Sequence, residues 1–218
     1  MVKNSAARKL NEIESPPPLK RVGFGDRPPP VRPNLPILNN ARLAVIMLLA
    51  AELMFFAGLI GAFLVFRLSA TVWPPPFQPR LPLGVTSVNS LILLFSALTM
   101  HWAVTASRAG RASKLVRQLT FTALLGALFL VIQGYEWVRL VHFGLTTSSS
   151  VYGGLFYTLI GAHGAHVFGG LIWLLIVCSQ ARRGRFTKTD FVGVQTARMY
   201  WTFVVALWPV LYGLVYLY

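Results

Sequence analysis

Charge is what this sequence has least of. Asp, Glu, Lys and Arg make up 12% of its 218 residues, where a soluble domain carries about a quarter. Hydrophobic residues account for 55%, and mean hydropathy is +0.60. Too few charges remain to cover a globule, so part of the chain's solvent must be lipid. Cysteine is nearly missing as well. Cys178 stands alone, which excludes an internal disulfide and a metal cage built only of cysteines. No hydrophobic signal region precedes residue 40, so the first apolar helix is expected to double as the insertion signal. No internal repeat is visible either.

Long apolar runs are what the chain has instead. A membrane span needs roughly 20 mostly apolar residues. Five segments reach that length, at about 43–67, 84–106, 118–141, 151–179 and 198–218. The breaks between them carry Pro, Gly, Ser or Arg clusters: "WPPPFQPRLPLG", "SRAGRASKLVR", "FGLTTSSS" and "ARRGRFTKTD". The expected fold is therefore all-α: a polytopic membrane bundle of five transmembrane helices over residues 41–218. Residues 1–40 are another material, holding eight of the 14 prolines. Such a stretch favours polyproline II or disorder and cannot build a core. It reads as a basic cytoplasmic arm, either flexible or laid as a strap across a partner subunit.

The basic residues then set direction, because cytoplasmic loops are enriched in Lys and Arg. The arm through Arg42, the second loop and the fourth loop share one side of a five-span chain. That side holds 17 Lys and Arg; the other holds three, Arg67, Arg80 and Arg139. The N-terminus is expected in the cytoplasm and the C-terminus outside. A net charge of +14 would suggest nucleic acid in a soluble protein. Here the charge is topological, and no nucleic-acid partner is expected.

Few polar side chains lie deep in the spans, and each needs a reason. Glu52 is about 15 Å along its helix from Arg42, at 1.5 Å per residue. That is near the midplane, where an ionised carboxylate costs roughly 3 kcal/mol. A protonated or hydrogen-bonded Glu52 is expected. The basic groups at its depth are His163 and His166, in "LIGAHGAHVFGG". At 100° per residue, Gly161, Ala165 and Gly169 form a ridge of small side chains suited to close helix packing. His163, His166 and Gly170 cluster within about 60° on another face. Span four is thus expected to be central. Glu136 sits one turn from the outer end of span three with Arg139 at i+3, an interfacial pair, and Gln133 extends that polar strip inwards. His101 and His142 are expected at the interfaces, and Trp102, Trp137, Tyr200 and Trp201 in aromatic belts.

Several functions could use the histidines. A bis-histidine haem needs ligands from two facing helices, whereas His163 and His166 share one helix and one face. His101 could oppose His166, giving one haem at most. Two histidines and Glu52 could form a non-haem iron site, although the surroundings offer no further ligand. A proton-coupled transporter with Glu52 as carrier would more often show repeats and interrupted helices. A structural, non-redox subunit of a larger membrane complex suits the pattern best. A small proton-coupled transporter and a haem b-binding membrane anchor remain as alternatives. In the favoured reading the histidines bind no metal and bridge helices through hydrogen bonds, with Glu52 as an acceptor.

Four stretches carry a family resemblance: "AELMFFAGLIGAF", "GALFLVIQGYEW", "YGGLFYTLIGAHGAHVFGG" and "MYWTFVVALW". In order and spacing they resemble subunit III of the haem–copper oxidases, the cytochrome c and quinol oxidases of aerobic respiration. The third stretch is similar to that family's Gly-x-His-Gly-x-His-Val signature and is the most specific. The best-known members have seven helices, and the five here match the last five. Thr202 and Val205 stand where the family commonly has His and Asp, which removes two polar groups. The proline-rich arm has no counterpart in the motif set.

The resemblance implies a subunit without haem or copper, packed on the catalytic subunit I that holds them, among other oxidase subunits. It implies bound phospholipid and support for proton uptake and catalytic durability. It also implies residence in the inner (plasma) membrane of a bacterium. Carried over by motif position, Glu52, Glu136, His163 and His166 become internal polar residues; with Gln133 they are expected to be structural, with no catalytic or metal-binding role.

Overall fold

The computed structural model describes residues 40–75, 81–187 and 189–217. The arm expected over residues 1–40 lies outside them, apart from Asn40, which opens the first helix. Five α-helices follow: α1 (Asn40–Ser69), α2 (Leu83–Arg108), α3 (Ala112–His142), α4 (Val151–Arg182) and α5 (Val192–Tyr212). The last runs on into a wider π-helical turn, Gly213–Leu217. All five are long and apolar enough to cross a membrane, and the described residues contain no strand. The protein is a multi-pass membrane protein.

Two helices begin six residues before the positions expected from hydropathy: α3 at 112 and α5 at 192. Their first two turns hold Lys114 and Arg117, and Arg198, respectively. Hydropathy measures the apolar slab, whereas backbone hydrogen bonding continues into the basic turns that stand in the headgroup region. The helices end in a common way. Gly110 takes a left-handed φ of 68°, and the N–H of Arg111 reaches back to the carbonyl of Ala106 at 3.0 Å. Leu145 to Leu140 and Arg185 to Gln180 repeat this closure after α3 and α4. At the start of α4, the Ser150 hydroxyl accepts from the N–H of Gly153 at 3.1 Å.

Four helices form a closed ring, with α2 against α3, α3 against α4, α4 against α5 and α5 against α2; α1 lies outside, touching α4 and α5. The ring is written in a repeat of three and four residues. On α2 the buried seam is Thr86, Asn89, Leu93, Ser96, Met100, Ala103 and Ser107. On α3 it is Leu115, Leu119, Thr122, Gly126, Phe129, Gln133, Glu136 and Leu140. On α5 it is Val194, Ala197, Trp201, Val204, Trp208, Leu211 and Val215. Such spacing keeps one stripe facing a partner when helices pack at shallow angles. Lipid tails are as apolar as leucine, so burial alone does not bring these seams together. Shape and hydrogen bonds do.

Trp201 supplies both. Its indole occupies a slot cut by two glycines: a Cβ on Gly126 would stand 2.6 Å from the ring, and one on Gly170 would stand 3.1 Å from it. Its Nε1–H donates to Ser96 Oγ at 3.0 Å. One heptad on, Trp208 Nε1–H donates to Ser90 Oγ at 2.7 Å. Trp201 is fully buried, so the expectation that it belongs to an aromatic belt is corrected. Its place on the α5 seam outweighs its nearness to a helix end. The most enclosed helix is accordingly α5, not α4.

Candidate functional site

Glu52 is near the middle of α1 and His166 near the middle of α4. On α1 the packed stripe runs Val45, Leu49, Glu52, Phe56, Leu59 and Phe63, again at threes and fours. That register aims the carboxyl at α4. Glu52 Oε2 and His166 Nε2 are 2.7 Å apart. The other ring nitrogen, Nδ1, is 2.6 Å from the carbonyl oxygen of Ala162. A carbonyl can only accept, so Nδ1 carries a proton. One further proton then lies between Nε2 and Oε2. With it on oxygen, a neutral acid donates to a neutral imidazole; with it on nitrogen, an imidazolium donates to a carboxylate. Both forms are neutral overall, so moving the proton changes no net charge at this depth. Phe56 meets the imidazole edge-on, with centroids 5.0 Å apart, and Phe55 lies at 5.8 Å. Within this chain the pair is not sealed, Glu52 and His166 being 18% and 20% exposed.

His163 is a different residue in all but name. It sits on the inner seam of α4, fully buried, stacked on Trp208 at 5.0 Å. Phe129 and Phe56 approach it edge-on at 6.4 and 6.5 Å. Neither ring nitrogen has a hydrogen-bond partner among the described residues. The expected helix-bridging hydrogen bond is thus present at His166 and absent at His163. A three-residue step along α4 turns the first ring towards the centre of the bundle and the second towards α1.

The small ridge also faces away from its expected neighbour. Ala165 and Gly169 are exposed, and a Cβ on Gly161 or Gly169 would meet nothing within 4 Å. Close packing of α4 inside the chain happens at Gly164, where a Cβ would come 2.9 Å from the Trp137 ring, and at Gly170. Helical arithmetic finds a ridge but not its direction. Direction is set here by the large residues Phe156, Ile160, Val167 and Leu174, whose seam includes Gly170.

The remaining polar residues gather near the other end of the ring. Gln133 Nε2 donates to the Tyr216 hydroxyl at 3.2 Å. Glu136 pairs with Arg139 at 3.1 Å, but unequally, the carboxylate being 4% exposed and the guanidinium 45%. Its seam position draws Glu136 inwards while Arg139 stays outside. Arg67 donates to the Leu214 carbonyl, and Arg42 to the Gln195 side chain, tying both ends of α1 to the α5 region. His101 and His142 are exposed, as is Thr202, whereas Val205 is buried. Sequence reasoning missed the polar stripe of α2. Asn89 donates to the Phe129 carbonyl at 3.1 Å, and Thr99 and Thr122 share a hydrogen bond of 2.8 Å. The three-four spacing of Thr86, Asn89, Ser96 and Ser107 was the available signal.

Among the described residues, no three of His, Cys, Asp or Glu converge as a metal site. Residues 33–218 match the family model described as cytochrome c oxidase subunit III. The chain belongs to the cytochrome c oxidase subunit III family. It is 40% identical over 174 residues to cytochrome c oxidase subunit 3 of a Synechocystis species, spanning 79% of this chain and 73% of that one. The subunit 3 of Corynebacterium diphtheriae is 33% identical over 181 residues, covering 82% and 88%. That of Aedes aegypti is 32% identical over 188 residues, covering 84% and 71%. Membership makes the chain a subunit III of a respiratory terminal oxidase, one component of a multi-subunit membrane complex. The family does not carry the haem–copper centres.

Proposed function

We propose that this subunit III supports the catalytic subunit I and its proton supply, and that it does so without redox chemistry of its own. The observation that carries this reading is the Glu52–His166 contact of 2.7 Å together with the 2.6 Å contact from Nδ1 to Ala162. Both nitrogens of His166 are engaged, leaving no lone pair for an iron or copper ion. His163 is enclosed by the rings of Trp208, Phe129 and Phe56, and no set of three metal-ligating side chains gathers around it among the described residues. What remains at midplane is a neutral pair holding a mobile proton, partly open on the α1–α4 side, where a neighbouring subunit or lipid can seat. In this reading Glu52, Gln133, Glu136, His163 and His166 are structural and proton-positioning residues, and Gly161, Ala165 and Gly169 form a smooth outward surface. The 17-to-3 distribution of Lys and Arg supports a cytoplasmic side for residues 1–40 and the basic loops. The bacterial relatives support a bacterial plasma membrane as its location.

The test is to purify the full chain without its partners, then record an optical spectrum and analyse its metals. No Soret band and no stoichiometric iron or copper are expected. A Soret band or bound metal that disappears in His163→Ala or His166→Ala would overturn the reading and favour a haem-binding anchor.

A further inference from the structure

The ring of helices has a mouth at its basic end. Ser107 is the last buried residue of the α2 seam and Leu115 the first of the α3 seam. Over them lies a recess of about 130 Å³. Gly110, Arg111 and Ala112 line one side of it; Phe186 and Thr187, from the connection between α4 and α5, line the other. That connection is held in place. The Phe186 ring packs so closely on Gly193 that a Cβ there would stand 3.1 Å from it. Thr187 and Asp190 close a turn on themselves: the Thr187 N–H donates to the Asp190 carbonyl, and the Asp190 N–H to Thr187 Oγ1, both at 3.0 Å.

The polar groups of this recess are donors in want of an acceptor. Ser107 is 4% exposed, and its hydroxyl has no hydrogen-bond partner among the described residues. A buried hydroxyl is costly to leave so. The N–H of Leu115 reaches back to the carbonyl of Arg111. The N–H groups of Ala112, Ser113 and Lys114 precede it and have no carbonyl within the helix to reach. No side chain caps them, and the first turn of α3 holds no acid. Arg111 adds a full positive charge and forms no ion pair among the described residues. Asp190 belongs to the adjoining turn and does not line the recess.

Size and place say which anion fits. Pockets for drug-sized ligands run from about 300 to 1,000 Å³; this one takes a small ion. It stands over seam residues, which face the inside of the ring, and beside a loop, so it is reached from water. The donors belong to three separate groups, a hydroxyl of α2, amides of α3 and a guanidinium between them. A tetrahedral oxyanion has an oxygen for each.

We infer that this recess binds one small, water-borne oxyanion of the phosphate class. One oxygen accepts from the Ser107 hydroxyl and a second from the free amides at the start of α3, while Arg111 balances the charge. The recess is separate from the Glu52–His166 pair. A lipid headgroup carries the same phosphate chemistry, and the experiment distinguishes the two sources.

The test uses the assembled oxidase in detergent, with inorganic phosphate as the probe. Binding of radiolabelled phosphate and the unfolding temperature are the two readouts. Millimolar phosphate is expected to bind saturably and to raise the unfolding temperature, as a ligand of the folded state does. Ser107→Ala removes one charge-assisted hydrogen bond and should weaken binding about tenfold. Arg111→Gln should also weaken it about tenfold, and Arg111→Lys should recover most of the loss. Ala112→Asp supplies a carboxylate to the free amides. It should abolish phosphate binding while raising stability in phosphate-free buffer. Absence of saturable binding by the unmodified complex would overturn the inference, as would equal binding by Ser107→Ala, Arg111→Gln and Ala112→Asp. An equal rise in unfolding temperature with chloride would overturn it too, because that marks charge screening alone. Phosphatidylglycerol in nanodiscs, bound with the same dependence on Ser107 and Arg111 and not displaced by inorganic phosphate, would overturn it in favour of a lipid headgroup.

Discussion

The hydrogen bond of 2.7 Å between Glu52 and His166 works because the second imidazole nitrogen is already spoken for by Ala162. A carboxyl alone at this depth would be costly to ionise; beside a neutral imidazole it can pass its proton without leaving a net charge behind. The composition of the spans makes both partners legible, since Glu52, His163 and His166 are the midplane residues with any acid–base capacity. What could not be read was the division between His163 and His166, because the two rings lie only about 60° apart around the helix, and which of them meets Trp208 and which faces α1 is decided by the neighbours. Glycine shows the same limit. Gly126→Ala and Gly164→Ala push a methyl into Trp201 and Trp137 and should each lower the unfolding free energy of the full chain in detergent by about 1–3 kcal/mol. Gly161→Ala and Gly169→Ala meet open space and should be neutral or slightly stabilising. Unfolding followed by tryptophan fluorescence distinguishes the two sets. Equal losses at all four positions would mean that the small ridge packs within the chain after all.

Each ring helix carries a three-four seam, and α5 is held in the ring by indole N–H groups on the serines of α2. Hydropathy located every helix, because length and apolarity are properties of the segment itself. It missed six residues at the start of α3 and of α5, where the helix outruns the apolar slab. It also missed the stripe of Thr86, Asn89 and Ser96, whose small polar side chains look unremarkable until their spacing is matched to the tryptophans. Ser96→Ala leaves the buried Trp201 N–H without its acceptor. The expected cost is about 1–2 kcal/mol of stability, read as earlier thermal unfolding of the full chain with no change in helix content. Unchanged stability would show that the Trp201 slot is held by shape alone.

Across the whole molecule, four motif stretches from separate helices come together around a ring and one outer helix, and this arrangement is why family membership could be read from spacing before any contact was known. Orientation rests on charge. Cysteines introduced at Ser113 and Thr187, after replacing Cys178, should label only from the cytoplasmic side of sealed cells or vesicles. Labelling from outside would invert the topology. The most direct test of the supporting role proposed for the midplane pair is oxygen consumption by the fully assembled oxidase carrying Glu52→Gln, at matched haem content. Glutamine keeps a hydrogen bond to His166 but cannot give up a proton as a carboxylic acid does. Assembly should be intact and turnover reduced by less than about tenfold, well below the roughly 10²–10⁴-fold that losing a proton-transferring group of the reaction itself costs. Complete loss of oxygen reduction in that assembled complex would contradict the supporting role and make Glu52 a direct carrier of the protons consumed.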